Sequence, residues 1–545
     1  MEICAGSHRE SIVDMGDVQC GSQIAPLVFD LQETLRLLRR RSGGQMTVDM
    51  NALWETYSAR VTELEALGGA LALLGWDQQT MMPKRGGGPR GQQQAALSGI
   101  YHQRLTDPEF GDLLLALQDQ ESTRPEQLAG LKAVRRQRDL AVKLPAELVR
   151  EKAIAQAAGD AAWNQAKANH AVDTFLPALS RLVGIAREEA AHLGESGAHP
   201  YEALLDRYEP GMKVDTLKHT FGRLEAELRP LIEAVGDLPR REDYTERFER
   251  DGQLSLHNQV ATALGFDLSS GRLDESVHPF TCGLCPQDVR ITTRIDETSL
   301  LSGLGGTVHE VGHGLYEQGL PLTLSGTGAM SAASTGLHES QSRFWENFIG
   351  GSLPFFEWLV SQLPEHFAGR SAPAEALYRA RNRITPSYVR VEADEATYNL
   401  HILVRFELEV ALLEGSLSVN DLEGAWNDAY TRVLGVTPRN PNEGVLQDVH
   451  WSHGFFGYFP TYTLGNLWAA SLAAGIEAHQ PDLWANVKNG TFGAILDWLR
   501  THIHAKGHTL DASEIVLQAV GERDAVADLA DHLWRRHGSL YGLSR

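Results

Sequence analysis

The sequence predicts a mainly α-helical protein with a short β segment beside its most chemically loaded helix. Three observations lead there. Leu53, Tyr57, Val61, Leu64, Leu67, Leu71 and Leu74 step by three or four residues, as do Val214, Leu217, Phe221, Leu224, Leu228 and Leu231. That spacing is one face of an α-helix. Ala/Leu/Glu/Arg-rich windows then fill 125–190, 370–415 and 465–545, and such composition favours helix. Only Asp288–Arg294 (DVRITTR) alternates β-branched and polar residues with period two, the pattern of a half-buried strand.

Taken along the chain, the first 45 residues differ from the rest. They hold Cys4, Cys20, the basic cluster Arg39-Arg40-Arg41 and then Ser42-Gly43-Gly44. We expect 1–45 to be a poorly ordered extension or an over-long start, with Met46 or Met50 the alternative start and a tethering arm the functional alternative. Residues 46–545 form the working domain. After the first helix, Lys84-Arg85-Gly86-Gly87-Gly88-Pro89 reads as a loop. The strand at 288–294 is expected to lead through a Gly-containing turn, Gly303-Leu304-Gly305-Gly306, into a helix.

Composition narrows the function classes. The chain has 545 residues, 42% hydrophobic and 22% charged, so it can bury a large core. Its 49 Lys+Arg against 71 Asp+Glu give a net charge of −22. Such a surface repels nucleic acid and anionic membranes unless basic residues cluster, and no long basic stripe exists. No apolar run approaches the roughly 18–20 residues of a membrane span. The start lacks a signal-peptide pattern, and 4 cysteines do not make a disulfide scaffold in a chain this long. The expected compartment is the cytoplasm.

The helix after the strand carries His309-Glu310-Val311-Gly312-His313, an HExxH pattern. Residues four apart share a helix face, so two imidazoles can reach one ion while Glu310 reaches a water on it. Apolar Val308, Val311 and Leu315 imply that the helix is buried, and buried bare imidazoles need partners. A catalytic zinc takes three protein ligands. The third is sought in Gly336–Asn347, where Glu339 lies 26 residues after His313 and His338 and Glu346 are its rivals.

A ligand with a free carboxylate would be held best by arginine, whose planar fork matches that group. Arg290, Arg294, Arg343 and Arg390 are the candidates. A neutral donor for a developing oxyanion is offered by His450 or by a tyrosine at 458 or 462. Asp394 and Asp448 can orient metal-bound histidines or serve as caps. Cys282-Gly-Leu-Cys285 is a lone CxxC, read as two reduced, inert thiols.

HEVGHGLYEQG followed by LHESQSRFWEN resembles the carboxypeptidase Taq family of thermostable metallocarboxypeptidases. So do WDQQTMMP at 76–83, His278-Pro279-Phe280, DVRITTR, VRVEADEATYNLHI at 389–402 and GVLQDVHWSHGFFGYFPTYTLGN at 444–466. The resemblance spans about 46–545. It departs at Ile295, where the family usually has Tyr, and at Cys282 and Cys285.

The resemblance implies a large helical peptidase fold with a deep substrate groove and a small antiparallel β-sheet beside the HExxH helix. It implies a homodimer that removes single residues from peptide C-termini with broad specificity. His309, His313 and Glu339 would bind one divalent metal, Zn2+ first and Co2+ second, and Glu310 would activate the metal-bound water. His450 and Tyr462 would stabilise the tetrahedral intermediate, with Arg390 holding the substrate carboxylate and Arg290 and Tyr458 assisting. The alternatives are an oligopeptidase or dipeptidyl carboxypeptidase on the same site, and a non-catalytic scaffold with a structural metal. A structural zinc needs a fourth protein ligand, and none is apparent.

Overall fold

The computed structural model describes residues 49–118, 124–236, 238 and 244–545. The expected extension at 1–45, with Cys4 and Cys20, lies outside the described residues. Leu53–Arg545 forms one unit.

The periodic faces become the core. In the helix Val214–Gly236, the six residues named above are all at most 2% exposed. In the first helix, Met50–Thr80, the face is split. Leu53, Tyr57, Val61 and Leu64 are buried, and the Tyr57 hydroxyl donates to the Thr327 carbonyl at 2.8 Å. Leu67, Leu71 and Leu74 are only half-buried. Here Glu65, Gly68 and Gly69 form one wall of a groove.

Two loop expectations move. The second helix begins at Gly87, so the loop ends at Gly86. Pro89 sits in the first helical turn, where no backbone N–H is needed for the ladder. The Gly303–Gly306 turn is likewise part of a helix, Leu300–Gly319, capped by Ser299 through the Ser302 N–H. Glycine is present at 303 because a Cβ there would lie 2.8 Å from the Arg294 carbonyl oxygen.

Three strands, β1 (Gly271–Glu275), β2 (Thr281–Cys285) and β3 (Asp288–Thr293), form one sheet in the order β1-β3-β2. The expected wholly antiparallel sheet is corrected to a mixed one. β2 and β3 pair antiparallel across the tight connection Pro286-Gln287. That hairpin occupies one edge of β3, so β1 takes the other edge and pairs parallel, Leu273 opposite Ile291. Val289 and Ile291 are buried. Thr293 continues the alternation and Thr292 breaks it, and both are buried. The Thr292 hydroxyl accepts from the Phe280 N–H at 2.8 Å, and the Thr293 hydroxyl meets that of Thr307 at 2.7 Å. The second bond ties the sheet to the HExxH helix, and the first holds β3 to the residue before β2.

The next helix, Thr335–Arg343, is capped by Ser334 through the Leu337 N–H and runs into a wider turn at Phe344–Ile349. It crosses the HExxH helix closely, for a Cβ on Gly312 would lie 2.6 Å from the Ser342 Cα. The helices Glu395–Glu414 and Pro460–His479 complete the surroundings of the groove. No described helix is long and apolar enough to cross a membrane.

Candidate active site

The HExxH helix buries Val308, Val311 and Leu315 and turns His309 and His313 to the other side, 18% and 14% exposed. Glu339 arrives from the neighbouring helix. Its Oε2 lies 3.9 Å from His309 Nε2 and 3.4 Å from His313 Nε2. One ligand atom from each of the three falls within 4.8 Å of the others. A tetrahedral ion with bonds of about 2.0–2.1 Å sets its ligand atoms about 3.3 Å apart. Two imidazole nitrogens and a carboxylate oxygen at these separations fit a divalent ion of the zinc type.

Charge around the cluster is balanced by position. Burial pushes the Glu339 carboxyl up, but Arg343 and the two histidines outweigh it and hold it well below the usual carboxylate range. Arg343 Nε donates to Glu339 Oε1 at 2.7 Å, leaving Oε2 facing the histidines. Glu346 is half-buried, and against the upward push of that burial Arg343 and His309 bring it down to about 2. Burial and the neighbouring His338 lower His313 to about 3, while Glu339 and Glu346 raise His309 against its burial.

Glu310, 6% exposed, lies beside this cluster. Its Oε2 accepts from the Thr281 hydroxyl of β2 at 2.7 Å. Burial raises its pKa, and the Glu339 charge adds to that, while His309 and Thr281 act the other way. A carboxyl raised in this way is a better proton acceptor than an exposed one.

The opposite wall comes from Tyr458 and Tyr462, just before and at the start of the helix Pro460–His479, and the turn His450–His453 supports it through His450. His450 Nε2 lies 3.2 Å from the Tyr462 hydroxyl, and burial lowers His450 to about 3, so the ring is neutral. Its Nδ1 is buried with no partner among the described residues. An orphaned N–H is rarer than an under-used acceptor, which places the proton on Nε2, donating to Tyr462. The Tyr462 O–H is then turned away from His450, with the Tyr458 hydroxyl as its neighbour. Tyr458 and Tyr462 line the groove together with His309, Glu310, His313 and Glu339. The groove encloses about 850 Å3.

Arg390 and Arg290 are placed differently. Arg390 lies behind the wall, 6% exposed. It donates through Nε and Nη2 to Asp448 Oδ1 at 2.9 and 2.7 Å, and through Nη1 to the Tyr398 hydroxyl at 3.1 Å. Arg405 takes the other Asp448 oxygen at 2.7 Å. Two guanidinium groups therefore face one carboxylate, with Arg390 5.2 Å from the Tyr462 ring centre. The structure does not bring Arg290 to the groove. It pairs with Asp288 at 2.9 and 3.0 Å and lies 4.4 Å from the Trp76 ring centre.

Other candidates resolve into support. Asp394 caps the helix Glu395–Glu414, accepting from the Ala396 and Thr397 N–H groups. The outer nitrogens of the two histidines face Glu346 and His338, the rivals for the third ligand. Cys282 and Cys285 are free, and burial pushes the Cys282 thiol up to about 11, which disfavours a reactive thiolate.

Sequence reasoning missed Glu409. This buried carboxylate accepts from the Tyr201 hydroxyl, Trp451 Nε1 and the Gly457 N–H at 2.8, 2.8 and 3.1 Å. It thereby ties down the loop between His450 and Tyr458. Its one sequence signal is an acid inside the apolar run LVRFELEVALL.

Comparisons with known proteins agree on one family. A model of the carboxypeptidase Taq (M32) metallopeptidase family matches residues 56–537. Thermostable carboxypeptidase 1 of Thermus thermophilus is 40% identical over 486 residues, 86% of this chain and 95% of that protein. Carboxypeptidase 1 of Bacillus subtilis is 36% identical over 480 residues, 87% of this chain and 95% of that protein. Among solved structures, the M32 carboxypeptidase of Deinococcus radiodurans R1 matches with a TM-score of 0.87 at 35% identity, covering 90% of this chain and 100% of that one. Trypanosoma cruzi metallocarboxypeptidase 1 matches with a TM-score of 0.84 at 34% identity, covering 89% of this chain and 99% of that one.

Proposed function

The chain belongs to the carboxypeptidase Taq (M32) metallopeptidase family and is a metallocarboxypeptidase; from that premise we propose that it releases single residues from free peptide C-termini with broad tolerance for the residue removed. The observation that carries this reading is the convergence of His309, His313, Glu339 and Glu310 on the wall of one groove.

In this reading His309, His313 and Glu339 would hold one divalent ion, Zn2+ in the first place and Co2+ as the alternative. Two neutral imidazoles and one carboxylate leave such a site net positive. When bound, the ion polarises the scissile carbonyl and makes a nearby water acidic, with a pKa that can approach about 7. Glu310 takes the proton of the attacking water and delivers it to the leaving amine. Its raised pKa suits both transfers, and the Thr281 hydroxyl on Oε2 leaves the other oxygen for the proton.

Tyr462 turns its O–H from Tyr458 to the oxyanion as the carbonyl becomes tetrahedral, and His450 fixes the orientation of that hydroxyl. Tyr458 supports the peptide from the same wall. The excess positive charge of Arg390 and Arg405 over Asp448 favours a carboxylate in front of Tyr398 and Tyr462. Arg390 thus acts on the substrate terminus from behind the wall. A homodimer and a cytoplasmic compartment complete the proposal; sedimentation and cell fractionation test them.

The decisive experiment compares an N-blocked dipeptide with its C-terminal amide, using metal-loaded wild type and Glu310→Gln. We expect the free acid alone to be cleaved, with a loss of about 10²–10⁴-fold in the variant at unchanged metal content. Equal cleavage of the amide would make the protein an oligopeptidase. Cleavage of neither, with metal bound, would favour a scaffold.

A further inference from the structure

The two histidines of the HExxH helix are held from behind by different devices. His309 Nδ1 meets Glu346 Oε2 at 2.9 Å, and Glu346 is fixed in turn by Arg343 and Arg381 at 3.0 and 3.2 Å. A carboxylate behind a metal-binding imidazole is the common arrangement. His313 has an imidazole there instead. Its Nδ1 lies 2.6 Å from Nδ1 of His338, and the rings stack at 4.5 Å with 27° between their planes. His338 Nε2 then meets Glu317 Oε1 at 2.8 Å.

The protons in this chain can be counted. His313 Nε2 faces Glu339 and is the nitrogen open to a cation. To bind, it must be bare, so the neutral ring carries its proton on Nδ1. That proton is donated to Nδ1 of His338, since only one proton fits between the two nitrogens. His338 therefore accepts at Nδ1 and carries its own proton on Nε2, which it donates to Glu317. Each hydrogen bond holds one proton, and the charge needed to orient the chain sits at its far end.

The surroundings are shaped to this chain. A Cβ on Gly283 of β2 would lie 2.5 Å from Glu317 Oε2, so glycine leaves the carboxylate its place. The buried Tyr316 ring packs against His338 at 5.4 Å, limiting its rotation.

We propose that Glu317 and His338 form a two-residue relay that sets the tautomer and ring orientation of His313, so that affinity for the divalent ion depends on Glu317, a residue that does not touch the ion. The proposal rests on the metal reading given above. Both are positioning residues. Loss of such an outer partner typically costs about 10–100-fold in metal affinity.

The test measures the zinc dissociation constant by competition with a chromophoric chelator. It uses full-length wild type, Glu317→Ala, Glu317→Gln, His338→Phe and the double variant Glu317→Ala/His338→Phe, with Glu339→Gln as reference. We expect about 10–100-fold weaker binding for Glu317→Ala and His338→Phe, partial rescue in Glu317→Gln, and a double variant no weaker than His338→Phe alone. That non-additivity marks a residue acting only through another, and independent packing defects would add instead. Wild-type affinity in Glu317→Ala and Glu317→Gln would overturn the relay even if His338→Phe failed to fold. Additive losses would overturn it too. Tight zinc binding by Glu339→Gln would overturn the metal reading itself, and the relay with it.

Discussion

Replacing Gly465 by alanine is expected to displace the third ligand while sparing the fold. Gly465 lies in the helix Pro460–His479, where it faces the helix that carries Glu339. A Cβ there would sit 2.5 Å from Glu339 Cγ and 2.7 Å from its Cβ. Carbon atoms pack at about 3.5–4.0 Å, so one side must give by about 1 Å. Glu339 cannot swing aside freely, because Arg343 pins Oε1 at 2.7 Å. Ligand distances in a metal site tolerate only about 0.2 Å. The displacement exceeds that several-fold, and we expect metal affinity to fall by at least the roughly 10–100-fold seen when only an outer partner is lost. The fold suffers less. Overpacking costs about 1–3 kcal/mol, and replacing a helical glycine by alanine returns about 1 kcal/mol. A net cost of about 0–2 kcal/mol lowers Tm by only a few degrees in a long chain. Chelator competition and the Tm of the metal-free protein measure the two effects. Gly184→Ala is the control, since a Cβ there meets nothing within 4 Å. Wild-type metal affinity in Gly465→Ala would refute the argument, as would a collapse of Tm that accounts for the lost affinity.

Tyr462→Phe is expected to lower kcat/KM by about 10²–10³-fold with metal affinity unchanged; an unaltered rate would remove Tyr462 from the oxyanion's side. Glu209 is buried beside the Gly336 N–H, and burial pushes its carboxyl up to about 8 against the help of Ser334 and that N–H. A folded-state pKa above the unfolded one means stability that is full below about 4.5 and is lost as pH rises through 8. Urea unfolding from pH 5 to 8 should therefore show a decline on the order of a few kcal/mol in wild type and a flatter profile in Glu209→Gln; equal slopes would contradict this. Chelation should abolish activity, and zinc at 100 times its dissociation constant should restore about 2.7 kcal/mol of stability in wild type and none in Glu339→Gln, read as Tm.

Much of the architecture is legible in the sequence because it rests on local periodicity. The 3–4 stepping at 214–231 survives as a buried face, and Val289 and Ile291 are buried as period-two alternation requires. What the pattern lacks is the partner. Leu67, Leu71 and Leu74 continue the apolar stripe of the first helix, yet they stay only half-buried, beside the stretch where Glu65, Gly68 and Gly69 line a groove. The glycines at 303–306 look like a turn because sequence registers their flexibility. Their actual role at 303 is to admit the Arg294 carbonyl, a contact between segments. The sheet's mixed order has the same origin, since no strand states which edge of β3 it will meet.

The site divides along the same line. Helical spacing alone sets His309 and His313 on one face with Glu310 beside them, because four residues make about one turn. Spacing alone cannot separate His338, Glu339 and Glu346, which all lie within three turns of one another. Where this helix crosses the HExxH helix sorts them: Glu339 meets both Nε2 atoms, while His338 and Glu346 reach the Nδ1 atoms behind. Arg390 carries a charge that any reading of the sequence finds, but Asp448, 58 residues away, decides that this charge stays behind the wall. Residue types and helical repeat thus determine which chemistry the chain can attempt, since both are local properties of the backbone. Tertiary structure decides which lone pair faces which proton, because hydrogen bonds and ion coordination are settled over tenths of an ångström between segments that only packing brings together.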